Sequence, residues 1–171
     1  ADEWRQWRGP RRDGTWNETG LVEKFSSSEL KPIWRAKIGS GYSGPTVADG
    51  RVYVTDRQIE LTQIERVHCF DWTTGEPIWM PDYKCEYRGV GYEAGPRASV
   101  TIDEGRAYSL GAMGHLFCFD AADGKVLWHK DLNRKYEIRM PIWGIAASPL
   151  IEQDLVIVQI GGAGEACLVA F

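Results

Sequence analysis

Three histidines and four cysteines are the first residues in this 171-residue chain whose types could do chemistry. His68, His115 and His129 stand alone, with no H-x-x-x-H or Cys/His spacing, so they do not make a zinc site. His115 follows a glycine turn and His129 follows a Trp, both ordinary strand positions. Cys69, Cys85, Cys118 and Cys167 form no C-x-x-C motif and read as small buried apolar side chains rather than a disulfide framework. The segment Gly39-Ser40-Gly41-Tyr42-Ser43-Gly44 has the glycine content of a phosphate loop. It lacks the Lys-Ser/Thr and the following helix, so it reads as an approach to a strand. No nucleophile–base pair can be assembled. What remains is binding chemistry, carried by Tyr83, Tyr87, Arg88, Tyr92, Tyr136, Arg139 and Trp143, with Arg97 nearby. Rings and guanidinium groups of this kind suit a partner peptide, a polysaccharide or a flat cofactor.

The elements that must position these side chains come from a repeat. Cys69-Phe70-Asp71-Trp72-Thr73-Thr74-Gly75-Glu76-Pro77-Ile78-Trp79 recurs as Cys118-Phe119-Asp120-Ala121-Ala122-Asp123-Gly124-Lys125-Val126-Leu127-Trp128. Each copy reads as a strand end, a tight turn and a second strand closing on Trp. Asp71 and Asp120 accept bonds from turn amides, and Gly75 and Gly124 supply positive φ. Trp79 and Trp128 are 49 residues apart, and Trp34 lies 45 residues before Trp79. A period of that size means stacked supersecondary units.

Within each period four strands are legible. Thr46-Val47-Ala48 and Arg51-Val52-Tyr53-Val54-Thr55 flank an Asp49-Gly50 turn, and Arg66-Val67-His68-Cys69-Phe70 leads to the strand closing on Trp79. The same order returns through Glu104-Gly105, and a third copy begins at Ala147-Ser148-Pro149. Four antiparallel strands per unit is a propeller blade. The fold expected is therefore all-β, a β-propeller of four-stranded antiparallel blades. Repeats span about 34–79, 80–128 and 129–171, with residues 1–33 as an N-terminal arm docked through buried Trp. That is about two and a half blades, where a closed ring needs roughly four to eight. The third copy lacks the Asp, the turn glycine and the closing Trp, which predicts the N-terminal part of a longer protein, its remaining blades completing the ring.

Strand parity puts the tight hairpin turns on one face. The longer segments 56–65, 80–95 and 130–144 fall on the other, and they carry the Tyr, Arg and Trp residues named above. Each ring serves either a ligand there or as cover for a blade edge.

Composition excludes other classes. With 20 basic and 24 acidic residues the net charge is −4, which argues against a nucleic-acid binder. Eight Trp beside 19 Gly fit an all-β repeat. No apolar run is long enough to span a membrane. Ala1-Asp2-Glu3 fits a mature end left after cleavage of an export signal.

At these motifs the chain resembles the PQQ-like (quinoprotein-type) β-propeller repeat family, with the pattern A-x-D-x-x-T-G-x-x-x-W at each blade end. Cys69 and Cys118 stand where the family usually has Ala. The opening Trp4-Arg5-Gln6-Trp7-Arg8-Gly9-Pro10, with Asp13-Gly14, is similar to the start of secreted bacterial members. These are labelled polyvinyl-alcohol dehydrogenases or likened to an outer-membrane assembly scaffold. The resemblance implies a periplasmic or extracellular location, and either of two functions. One is a binding or scaffold module that holds a protein or polymer on its looped face. The other is a quinoprotein alcohol dehydrogenase using PQQ and Ca²⁺. Members of the second kind resemble one another in a vicinal Cys pair, an Asp base, and a Glu and an Asn that bind Ca²⁺. No adjacent Cys pair exists here. Gly161-Gly162-Ala163-Gly164-Glu165 is similar to the stretch that supplies the calcium-binding Glu, so Glu165 is the metal candidate. The spacing after it is shorter, and a glycine-rich turn bearing one exposed Glu is the simpler reading. The scaffold is therefore the expected function.

Overall fold

The computed structural model describes residues 3–25, 30–92 and 94–171; Ala1, Asp2 and the serine stretch at 26–28 lie outside them. The described chain forms three antiparallel sheets in succession. The first runs β1 (Thr46–Ala48), β2 (Arg51–Gln58), β3 (Ile64–Asp71) and β4 (Pro77–Trp79), with β5 (Asp82–Lys84) also on β3. The second is β6 (Thr101–Asp103), β7 (Arg106–Leu110), β8 (His115–Asp120) and β9 (Val126–Asp131). A short helix, α1 (Leu132–Tyr136), precedes the third sheet, β10 (Leu150–Glu152), β11 (Leu155–Gln159) and β12 (Leu168–Ala170). This is the all-β blade architecture that the repeat predicts.

The two complete blades superpose in detail. Cys69 pairs with Trp79 and Cys118 with Trp128, and the register shifts at the same step, between Cys69 and Phe70 and between Cys118 and Phe119. The turn between them is held locally. Asp71 Oδ1 accepts from the amides of Thr73 at 2.9 Å and Thr74 at 2.8 Å, and Asp120 Oδ1 accepts from Ala122 at 2.7 Å. These bonds hold the Asp71 carboxyl below its ordinary value.

Two differences from expectation concern strand length. The polar connection expected over 56–65 shrinks to 59–63, because β2 and β3 stay paired from Arg51–Asp71 to Gln58–Ile64. Both outer strands also run past their closing Trp, to Lys84 and Asp131. In the first blade the outer strand breaks at Met80-Pro81, since a proline nitrogen has no hydrogen to donate to the ladder.

Apolar side chains between neighbouring sheets form the core. Tyr53, Val67, Cys69 and Trp79 of the first blade pack against Val100, Ile102, Ala107 and Phe119 of the second. Tyr108, Leu110, Leu116 and Cys118 pack in turn against Val156, Val158 and Ile160 of the third. The inner strands are cross-linked as well: Thr46 Oγ1 donates to Val100 O and Thr101 Oγ1 to Pro149 O, each at 2.6 Å.

The N-terminal arm docks by a different chemistry from the one its tryptophans suggest. Trp7 and Trp16 are exposed. The arm instead meets the free edges of the innermost strands, where unpaired amides and carbonyls need partners. Trp4 and Val47 exchange backbone bonds of 2.8 and 3.0 Å, and Ile102 N–H donates to Arg5 O at 2.8 Å. Arg12 reaches the third sheet, donating to Ile151 O at 2.7 Å. Trp4 is partly buried and stacks on Trp16 at 5.0 Å. The arm thus ties all three blades together near their hairpin-turn ends.

Candidate binding site

The residues that lead into the innermost strands occupy the same position in each blade. Thr46 and Thr101 make equivalent bonds to the next blade, which sets the register. Counting back by the same step, Tyr42, Arg97 and Ala146 are equivalent. These three, with Tyr92 and Trp143 from the blade-to-blade connections, line one cavity of about 440 Å³ at the looped end of the inner strands. Tyr92 and Trp143 stack with ring centroids 4.2 Å apart and planes 15° from parallel. Both rings, and that of Tyr42, are about half exposed (49%, 54% and 54%).

Arg97 is fixed by main chain. Its Nη1 donates to Gly95 O at 2.5 Å and its Nη2 to Tyr92 O. The guanidinium carbon lies 5.3 Å from the centre of the Tyr42 ring and 5.7 Å from that of Tyr87. Its Nε is buried with no hydrogen-bond partner, and no carboxylate pairs with it among the described residues.

On the same side of the first blade Glu65, at the start of β3, is fully buried. Tyr83 and Tyr87 hydroxyls each donate to it at 2.5 Å, and the Ala112 amide of the second blade donates at 3.1 Å. Burial, and then the Glu65 charge, raise the hydroxyl pKa values of Tyr83 and Tyr87 well above the ordinary phenol range. Sequence spacing puts both tyrosines on the open face, but the structure turns them inward onto this carboxylate. Tyr83 also stacks on Phe117 of the second blade at 4.5 Å. The Tyr87 ring supports the Arg57 guanidinium at 3.8 Å and stands beside Arg97, so Tyr87 links Glu65 to the cavity's arginine.

A second buried carboxylate, Asp56, holds the looped end of the first blade. Arg66 grips it with two nitrogens at 2.8 and 2.5 Å, His68 Nε2 lies 3.0 Å away, and the Gly39 amide donates to it. Burial alone would raise its carboxyl, yet the neighbouring His68 and the bonds from Arg66 and Gly39 outweigh it and hold the pKa well below the ordinary range. The three buried thiols are inert by contrast. Burial pushes Cys69 up to about 11 and raises Cys85 and Cys118, so none is a thiolate at neutral pH. Cys167, expected to be buried, is exposed.

The remaining expected residues do not join the cavity. Arg88 is exposed, pairs with Glu86 at 2.6 Å, and lines a separate groove with Met113, His115 and Asp131. Arg139 is exposed. Tyr136 ends α1, and its carbonyl accepts from Ala163 N–H at 2.8 Å, which anchors the glycine-rich turn that carries Glu165. Glu165 is exposed at φ 69°. Among the described residues no three His, Cys, Asp or Glu side chains gather to hold a metal ion. Glu165 belongs to no such group, whereas a calcium site takes six to eight oxygens. Tyr42 and Ala146 are the cavity residues that sequence reasoning missed. The repeat register held the signal, since both lie in phase with Arg97.

The family profile described as outer membrane protein assembly factor BamB matches residues 63–169. The BamB of Shewanella oneidensis is 28% identical over 157 residues, covering 81% of this chain and 36% of that protein. The polyvinylalcohol dehydrogenase of a Sphingopyxis species is 26% identical over 152 residues, covering 77% of this chain and 23% of that one. Among solved structures, the quinohemoprotein alcohol dehydrogenase of Comamonas testosteroni is similar with a TM-score of 0.53 at 26% identity, covering 73% of this chain and 18% of that chain. The chain thus spans about a third or less of the length of these relatives. Blade for blade and motif for motif, it belongs to the BamB-like family of PQQ-type β-propeller repeat proteins.

Proposed function

We propose that this chain forms part of an exported, non-catalytic β-propeller that holds a protein partner at the looped mouth of its inner strands. The observation that carries the reading is the half-open cavity of Tyr42, Tyr92, Arg97, Trp143 and Ala146. Three blades supply its rim from one repeat position, with aromatic and arginine side chains of the kind that anchor interfaces. The similarity to a relative named as an outer membrane assembly factor supports a scaffold role and a periplasmic or extracellular location. No helix among the described residues is long and apolar enough to cross a membrane. Residues 1–33 serve as the docking arm and 34–171 as the propeller blades.

The dehydrogenase relatives supply the competing reading, in which PQQ and Ca²⁺ would bind with Glu165 as a ligand. Two features count against it: the absence of an adjacent Cys pair, and the lone, exposed Glu165. Calorimetric titration of the full-length protein with PQQ plus Ca²⁺, wild type beside Glu165→Ala, separates the two. The scaffold reading expects no tight binding in either protein. Tight binding abolished by the substitution would reverse the ranking.

A further inference from the structure

We propose that the mouth cavity takes an acidic segment of the partner protein, with an aromatic side chain seated against the Tyr92–Trp143 stack and Tyr42, and a neighbouring carboxylate on Arg97. This deepens the scaffold reading and rests on it. Two features of the site specify the occupant.

The first is the wall chemistry. Tyr42, Tyr92, Trp143 and Ala146 leave an apolar slot whose three rings are each about half exposed. A flat apolar side chain gains contact area and ring stacking there. A sugar would bring hydroxyl groups to walls that offer them few partners, and each unpaired hydroxyl costs free energy.

The second is charge. Arg97 is locked by two carbonyls, which hold the guanidinium in place without neutralising it. Its Nε still lacks a partner. Arg5 and Arg66, by contrast, have carboxylate partners in Asp49 and Asp56. An unpaired, pre-oriented guanidinium beside an aromatic slot is complementary to a carboxylate next to an aromatic ring.

The test uses the full-length protein and fluorescently labelled peptides with an Asp-Phe-Asp core, read by anisotropy at low salt. Peptides with Lys-Phe-Lys and Asp-Ser-Asp cores are the controls. The expected result is saturable binding of the acidic aromatic peptide, with each control at least tenfold weaker. Tyr92→Ala and Trp143→Ala should each weaken binding at least fivefold, and Arg97→Gln should erase the preference for the acidic over the basic peptide. If Arg97→Gln fails to fold, the same charge claim is read from wild type, where raising the salt should weaken the acidic peptide and not the basic one. Equal binding of the Asp and Lys peptides, or binding indifferent to the Tyr92 and Trp143 changes, overturns the proposal. So does binding of PQQ with Ca²⁺ in the absence of any peptide binding. If no peptide binds while a photo-crosslinking residue in place of Ile142 still captures a protein in the parent cell, the acidic aromatic assignment alone falls. If both fail, the scaffold reading falls with it.

Discussion

Trp79 of the first blade stands on Gly124 of the second. A Cβ at Gly124 would lie 2.7 Å from the indole, and the ring N–H donates to Ala121 O at 3.1 Å. The step before it is identical. Trp34 lies over Gly75, and its N–H donates to Trp72 O at 2.8 Å. Trp72 and Ala121 occupy the same repeat position, so Trp34 and Trp79 each latch onto the turn of the unit that follows. The glycine serves twice, supplying positive φ and leaving room for the ring.

Trp79→Ala should therefore cost about 3–5 kcal/mol, the range for a large buried aromatic. Gly124→Ala should also destabilise, because both its conformation and its space are unavailable to a side chain. Trp72→Ala, at a half-exposed ring, should cost much less. Urea unfolding of the full-length protein measures all three. A Trp79→Ala cost no larger than that of Trp72→Ala would mean that the latch carries no load.

The turn, the period and the closing Trp were legible because they are local. Asp71, Gly75 and Trp79 sit within one short segment, and Asp120, Gly124 and Trp128 repeat it. The site was legible only in part. Tyr92, Arg97 and Trp143 share long connections and do come together. Tyr83 and Tyr87 lie on the same connection but turn inward, because Glu65, 18 and 22 residues before them, is buried and needs donors. A polar residue in mid-strand gives no sign that it will be buried. Helix α1 was missed for a related reason. Five residues are too few for a periodic pattern, and the helix depends on Asp131 capping the Arg134 amide at 2.9 Å and on Leu132 packing into the core.

Asp56 makes stability pH-dependent in a defined direction. Its folded pKa is depressed below the ordinary 3.8, so its contribution is present above that value and is lost as pH falls toward the folded one. Asp56→Asn should cost roughly 3–5 kcal/mol near neutral pH, since it leaves Arg66 partly buried without its partner. The difference between wild type and variant, read by urea unfolding, should shrink steadily below about pH 4. A difference that stays constant down to pH 2.5 or so would contradict this role.

The arm works by backbone pairing more than by surface ion pairs. Replacing Arg5, whose partner Asp49 is exposed, should change stability by only about 0–1 kcal/mol. Deleting residues 1–14 removes the links to all three blades and should lower Tm by several degrees, as for any loss of more than about 1 kcal/mol. An unchanged Tm would show that the arm is decoration.

Thiol accessibility checks the core directly. With a maleimide reagent and mass-spectrometric mapping, Cys167 should react in the native protein. Cys69, Cys85 and Cys118 should react only on unfolding. Rapid native labelling of Cys69 or Cys118 would mean that the blades do not pack as described.

The most direct measurement of the central claim is site-specific photo-crosslinking of the full-length protein in its own cells. A crosslinking residue replaces Ile142, at the looped mouth beside Trp143, or Lys125, on a hairpin turn at the opposite face. The expected result is a discrete protein adduct from position 142, reduced by Trp143→Ala, and none from position 125. Adducts from position 125 alone, or from both positions alike and indifferent to Trp143→Ala, would contradict a binding site at the looped mouth.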